Sequence, residues 1–113
     1  EYYQQSLDIT IKVVGHDHIE VARTYMNMGV VYKSQGHYER ALEYYQQSLD
    51  ITIKVVGHDH PSVAMSYGNM GYVYRSLGKA EEAREMFTKT YSIFLKVLGP
   101  DHPHTQQAKS DVD

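Results

Sequence analysis

The chain contains no cysteine. Disulfides and thiol nucleophiles are therefore excluded, and a reducing, cytoplasmic setting is the expected one. It has no run of eighteen apolar residues, so no transmembrane helix is expected. Its formal net charge of -3 is too weak to direct it to nucleic acid or to an anionic membrane. The polar, acidic start at Glu1 does not resemble a signal peptide. Catalytic signatures are missing as well. There is no Gly-rich phosphate loop, no H-E-x-x-H and no G-x-S-x-G, so neither an enzyme nor a cofactor is expected.

What the chain does have is repetition. Apolar residues at 42% and charged residues at 22% describe a folded domain, and 113 residues suffice for one. The segment EYYQQSLDITIKVVGHDH occupies residues 1–18 and returns unchanged at 43–60. Residues 19–60 and 61–102 agree at 19 of 42 positions. Self-similarity at such a period marks a solenoid. The expected organisation is a single array: 1–18 as the second helix of a partial repeat, 19–60 and 61–102 as full repeats, and 103–113 as the start of another. The array then begins in a second helix, which reads as an excised piece of a longer protein.

Each repeat carries two helical patterns. Val21, Tyr25, Met28 and Tyr32 recur at steps of 4, 3 and 4 on one face of a first helix, about Glu20 to Ser34. Gln35-Gly36-His37 interrupts it, with Gly36 suited to a positive φ. The second helix, about Tyr38 to Val56, has one stripe of Ala41, Tyr45, Ser48, Thr52 and Val55 and another of Leu42, Leu49, Ile53 and Val56. Two stripes imply two neighbours. Gly57 closes the helix and Pro61 opens the next, where a missing N–H costs nothing. The following repeat copies the plan through Val63, Tyr67, Met70, Tyr74, Gly78, Ala83, Phe87, Thr90, Phe94 and Gly99. No segment alternates as a strand does, so the chain reads as all-α. Gly29 and Gly71 fall within first helices, where glycine costs ~1 kcal/mol against alanine. Close crossing by the paired helix would offset that cost.

The series Tyr25, Met28-Gly29, Tyr32, Gly36, Ala41, Tyr45, Ser48, and its copy Tyr67, Met70-Gly71, Tyr74, Gly78, Ala83, Phe87, Thr90, resembles a tetratricopeptide repeat (TPR). The period is longer than the usual ~34 residues. The link Val56-Gly57-His58-Asp59-His60-Pro61-Ser62-Val63-Ala64, echoed at Leu98 to Pro103, is similar to that of kinesin light chain and nephrocystin-3-like repeats. The first link departs, with Ile19 in place of proline. The resemblance implies a right-handed α-solenoid of helix-turn-helix units. It covers nearly the whole chain, and it says much about fold and little about function.

In such stacks the first helices line a concave groove. Residues beside the core stripe are then the candidate partner-binding set: Arg23, Met26, Asn27, Val30 and Lys33, followed by Met65, Asn69, Tyr72 and Arg75, with Gly68 among them. The resemblance implies that Asn27 and Asn69 bond an extended peptide's backbone, for which a side-chain amide has both donor and acceptor. Met adapts to varied partners. Arg23, Lys33 and Arg75 favour a protein or peptide with acidic residues or a terminal carboxylate. Met65 stands where a second Arg23 would complete a carboxylate clamp.

The histidines form three H-x-H pairs, 16/18, 58/60 and 102/104. A zinc site needs three or four convergent ligands. Successive links are separated by a helix layer, on the order of 10 Å, so bracing and capping roles for the histidine and aspartate are favoured and no metal site is assigned. Three functions follow in order. The first is a protein-interaction scaffold. The second is an architectural segment, able to self-associate through terminal helices whose faces lack a cover. The third, a metal-responsive module, ranks last.

Overall fold

The computed structural model describes residues 19–113. The readings made on residues 1–18, including the Tyr3, Ser6, Thr10 and Val13 stripe and the His16/His18 pair, lie outside the described residues. The chain divides into two compact units, Glu1–Gly57 and His58–Asp113. Among the described residues there are helices and no strands, and no helix is long and apolar enough to cross a membrane.

In the first unit, α1 (Ile19–Ser34) packs on α2 (Tyr38–Val56). A short turn joins them. The Gly36 N–H bonds the Lys33 carbonyl at 3.0 Å and the His37 N–H bonds that of Tyr32 at 2.9 Å, a Schellman closure. The helices run antiparallel, because Ala22 faces Ser48 while Gly29 faces Tyr45. Two contacts fix the crossing. The Ser48 hydroxyl donates to the Ala22 carbonyl at 2.8 Å, satisfying a buried polar group within the interface. The Tyr45 ring packs against Gly29, where a Cβ would sit 2.6 Å from Cε1.

The second unit holds α3 (Pro61–Ser76), α4 (Ala80–Leu98) and α5 (Pro103–Val112). Here α3 and α4 repeat the same two contacts with different residues. The Thr90 hydroxyl donates to the Ala64 carbonyl at 3.2 Å, and Phe87 covers Gly71, with a Cβ 2.7 Å from Cε1. The next helix, α5, docks on α4 through a core of Ala64, Phe94 and Ala108, and the Thr105 hydroxyl donates to the Phe94 carbonyl at 3.2 Å.

The core of the first unit is wider than the sequence stripes. Tyr44 and Ile51 are buried although neither falls on the stripes. Tyr44 stacks between Tyr25 and Tyr32, with centroids 6.0 and 5.4 Å away. Conversely Val55 and Val56, expected on the stripes, are 47% and 36% exposed. The antiparallel register explains this. With Ser48 opposite Ala22, the last turn of the longer α2 runs past the start of α1.

At the described links the histidine supplies the expected cap. His60 Nδ1 accepts the Ser62 N–H at 3.0 Å and His102 Nδ1 accepts the His104 N–H at 3.1 Å, each capping the helix that opens with the next proline. Asp59 instead receives the Lys96 ammonium from α4. Gly57 leaves α2 at φ 86°, ψ 173°, and Gly99 leaves α4 at φ 87°, ψ 166°. The positive φ suits glycine, and with ψ extended the pair falls in a region distinct from the left-handed helix. It is a region reached essentially by glycine alone.

The two glycines of α3 make opposite predictions. Gly71→Ala pushes a methyl into the ring of Phe87, which is 2% exposed and must shift to admit it; a loss of about 1–3 kcal/mol is expected. Gly68→Ala meets Thr90 at 3.6 Å, ordinary contact, and is expected to be neutral or to stabilise by up to ~1 kcal/mol. Chemical denaturation of both variants measures the contrast.

Candidate functional site

The candidate residues lie on the first helices, at positions left over once the core is assigned. On α1, Arg23, Asn27 and Val30 are exposed at steps of 4 and 3, forming one row, while Met26 and Lys33 beside them are half-buried. The opposite side of α1 holds Tyr25 and Tyr32, stacked on Tyr44. The Arg40 guanidinium sits over two of these rings, 5.5 Å from Tyr32 and 5.7 Å from Tyr44. Burial, then Tyr44, pushes the Tyr25 hydroxyl's pKa above the ordinary tyrosine value.

On α3, Met65 is 56% exposed, Asn69 and Tyr72 are half-buried and Arg75 is exposed. Met65, Asn69 and Tyr72 share the wall of a hollow of about 160 Å³, with Phe94 of α4 and with Ala108 and Asp111 of α5. Arg75 is placed elsewhere. Its guanidinium lies 4.9 Å from the Tyr72 ring and 5.4 Å from Phe87, and it lines a second hollow of about 230 Å³. Asp111 borders both hollows.

Tyr72 bridges these features. Its ring meets Phe87 edge-on at 5.0 Å, and its hydroxyl donates to Asp111 Oδ2 at 2.7 Å. The other oxygen, Oδ1, accepts from Gln107 Nε2 at 3.2 Å. Burial raises the Tyr72 pKa most, the Asp111 hydrogen bond and charge raise it further, and Arg75 opposes them. Sequence reasoning named Tyr72 but not Asp111. The signal was available, because Asp111 stands 42 residues after Asn69 and so occupies the same repeat position.

Of the H-x-H pairs, 58/60 and 102/104 lie among the described residues. Among the described residues no group of three His, Asp or Glu side chains is placed to hold a metal. His104 stacks on Phe94 at 5.5 Å and on His102 at 5.0 Å, and the cap on α5 uses His102 Nδ1.

This arrangement, paired helices with a small-residue crossing and a variable first-helix face, defines a helical-repeat scaffold. The tetratricopeptide repeat family model matches residues 1–54, 38–96 and 62–108, and the chain belongs to that family. No curated protein matches it. Among solved structures it is similar to BtubC (BKLC) from P. vanneervenii, at 24% identity and TM-score 0.89, over 98% of this chain and 44% of that one. It is also similar to a kinesin-light-chain-like protein of Podosopora anserina with nearly identical TPR-like repeats, at 23% identity and TM-score 0.81, over 97% of this chain and 52% of that one. The shared fold is the TPR α-solenoid. The chain spans about half the length of these structures. Tetratricopeptide repeats generally mediate protein–protein interaction, and the family is one of non-catalytic scaffolds.

The tyrosines give a pH prediction. Tyr25, Tyr45 and Tyr72 all have raised values, Tyr45 by burial. A raised pKa favours the neutral form in the folded state. That stability is complete below the unfolded value of about 10 and is lost as pH climbs through the folded ones. Melting temperature is therefore expected to hold near about pH 8 and to fall above about pH 10. Tyr72→Phe should make the alkaline fall shallower, read by circular dichroism melts across that range.

Proposed function

We propose that this chain is a protein-interaction scaffold whose first-helix faces present a concave groove to an extended peptide or helix of a partner protein. The observation that carries this reading is the hollow in the second unit. Three residues selected from the sequence, Met65, Asn69 and Tyr72, share its wall with the apolar ring of Phe94. A buried core needs no exposed methionine there, whereas a binding face does. The α1 row contributes Arg23, Asn27 and Val30, flanked by Met26 and Lys33. Arg23 and Lys33 favour acidic residues on the segment of the partner that passes α1. Arg75, stacked on two aromatic rings, acts as a support for Tyr72 as much as a charge for the ligand.

A second reading is architectural, with spacing or self-association as the task. The letter-for-letter identity of 1–18 and 43–60 favours it, since a surface that fits one first helix can fit another.

Affinity capture with the wild type and with the Asn27→Ala/Asn69→Ala double variant separates the readings. The scaffold reading expects capture of a partner to fall about tenfold with helicity intact, the effect of losing two hydrogen bonds. Equal capture by both proteins would remove it. The architectural reading expects sedimentation to show concentration-dependent association that the double substitution leaves unchanged.

A further inference from the structure

Gly68 stands within α3, where glycine is the least favoured residue other than proline. Gly71, one turn on, is demanded by the Phe87 ring, but nothing in the fold demands Gly68. A Cβ there meets only Thr90, at 3.6 and 3.7 Å. The residue one repeat earlier is Met26, half-buried on α1. Position 68 thus carries no side chain where the preceding repeat carries a methionine, and the space beside it is the hollow of about 160 Å³.

We propose that this hollow is a specificity pocket that takes one uncharged aliphatic side chain, of methionine or leucine shape, from an extended segment of a partner protein. The inference rests on the scaffold reading above and assigns a residue class to its ligand. Three observations support it. The size suits one such group, since an apolar cavity of about 150 Å³ accommodates a ligand as large as benzene. The walls offer Met65, the rings of Tyr72 and Phe94, and the methyl of Ala108. Charge complementarity points the same way. Among the described residues Asp111 is the one carboxylate lining the hollow, with His104 the other titratable group, and the two Asp111 oxygens accept from Tyr72 and Gln107. A ligand carboxylate would be repelled by it, and a ligand ammonium would compete with two donors already in place. Asn69 on the same wall lies where the ligand's backbone would pass. Any acidic residues of the partner then belong opposite α1, and the side chain at Gly68 is apolar.

The test uses the full chain with methyl-labelled methionine and four probes, the N-acetyl methylamides of methionine, leucine, glutamate and lysine, followed by NMR. The expected result is a saturable shift of the Met65 methyl with the methionine and leucine probes and none with the charged pair. Gly68→Met, which places there the residue that the preceding repeat carries, should weaken the methionine probe by about tenfold or more without lowering the melting temperature. If Gly68→Met does not fold, Gly68→Ala decides, with weakening of about fourfold expected from one added methyl. No saturable shift in the wild type, equal shifts from the glutamate or lysine probe, or unchanged affinity in the variant that folds would each overturn the pocket. A negative result here, beside loss of partner capture in the asparagine variant, overturns the pocket alone and leaves the scaffold reading standing.

Discussion

Both described hairpins depend on a ring packed against a glycine. Tyr45 on Gly29 and Phe87 on Gly71 bring two helix backbones closer than any Cβ would allow. Much else follows from that proximity. It places the Ser48 hydroxyl within reach of the Ala22 carbonyl and that of Thr90 within reach of Ala64. A polar group can thus be buried at the crossing without losing its hydrogen bond, which would otherwise cost about 1–3 kcal/mol. The glycine's low helix propensity is offset by the ring's buried area and by this bond. The same crossing decides which side of each first helix is core, and so which side is left for a partner.

The hairpin plan was legible in the sequence because it depends on spacing. A period of 42 residues, apolar steps of 3 and 4, and glycine at fixed offsets are properties of the letters alone. Less legible were features set by contacts between distant residues. Tyr44 looks like a neighbour of the stripe, and only the ring stack with Tyr25 and Tyr32 brings it inside. Asp59 looks like a helix cap, but Lys96, far along the chain, claims its carboxylate and leaves the cap to His60. The candidate site divides in the same way. Repeat position identified Met65, Asn69 and Tyr72 as a face. It did not show that Arg75 would turn onto the aromatic rings, or that α5 would supply the opposite wall.

The two units show how one scaffold can carry different surfaces. Their crossings are chemically alike, while their first-helix faces diverge at Arg23 and Met65, Met26 and Gly68, and Val30 and Tyr72. The crossing keeps its hydroxyl-to-carbonyl bond and its ring-on-glycine contact through these changes, even though Tyr72 adds an edge-on contact to the crossing ring of Phe87. The face can therefore vary without altering the hairpin, as expected when function resides in sites grafted onto a fold.

The links carry a different lesson. At Gly57 and Gly99 the backbone takes φ near +86° with ψ near 170°, the inverse through a mirror of the extended conformation ordinary for L residues. The exit from each long second helix thus calls for a residue of opposite handedness, which ribosomal synthesis does not supply. Glycine, being achiral, is the nearest available substitute. A chemically synthesised chain with D-alanine at these two points would meet that demand directly, and would enter folding with fewer unfolded conformations to give up.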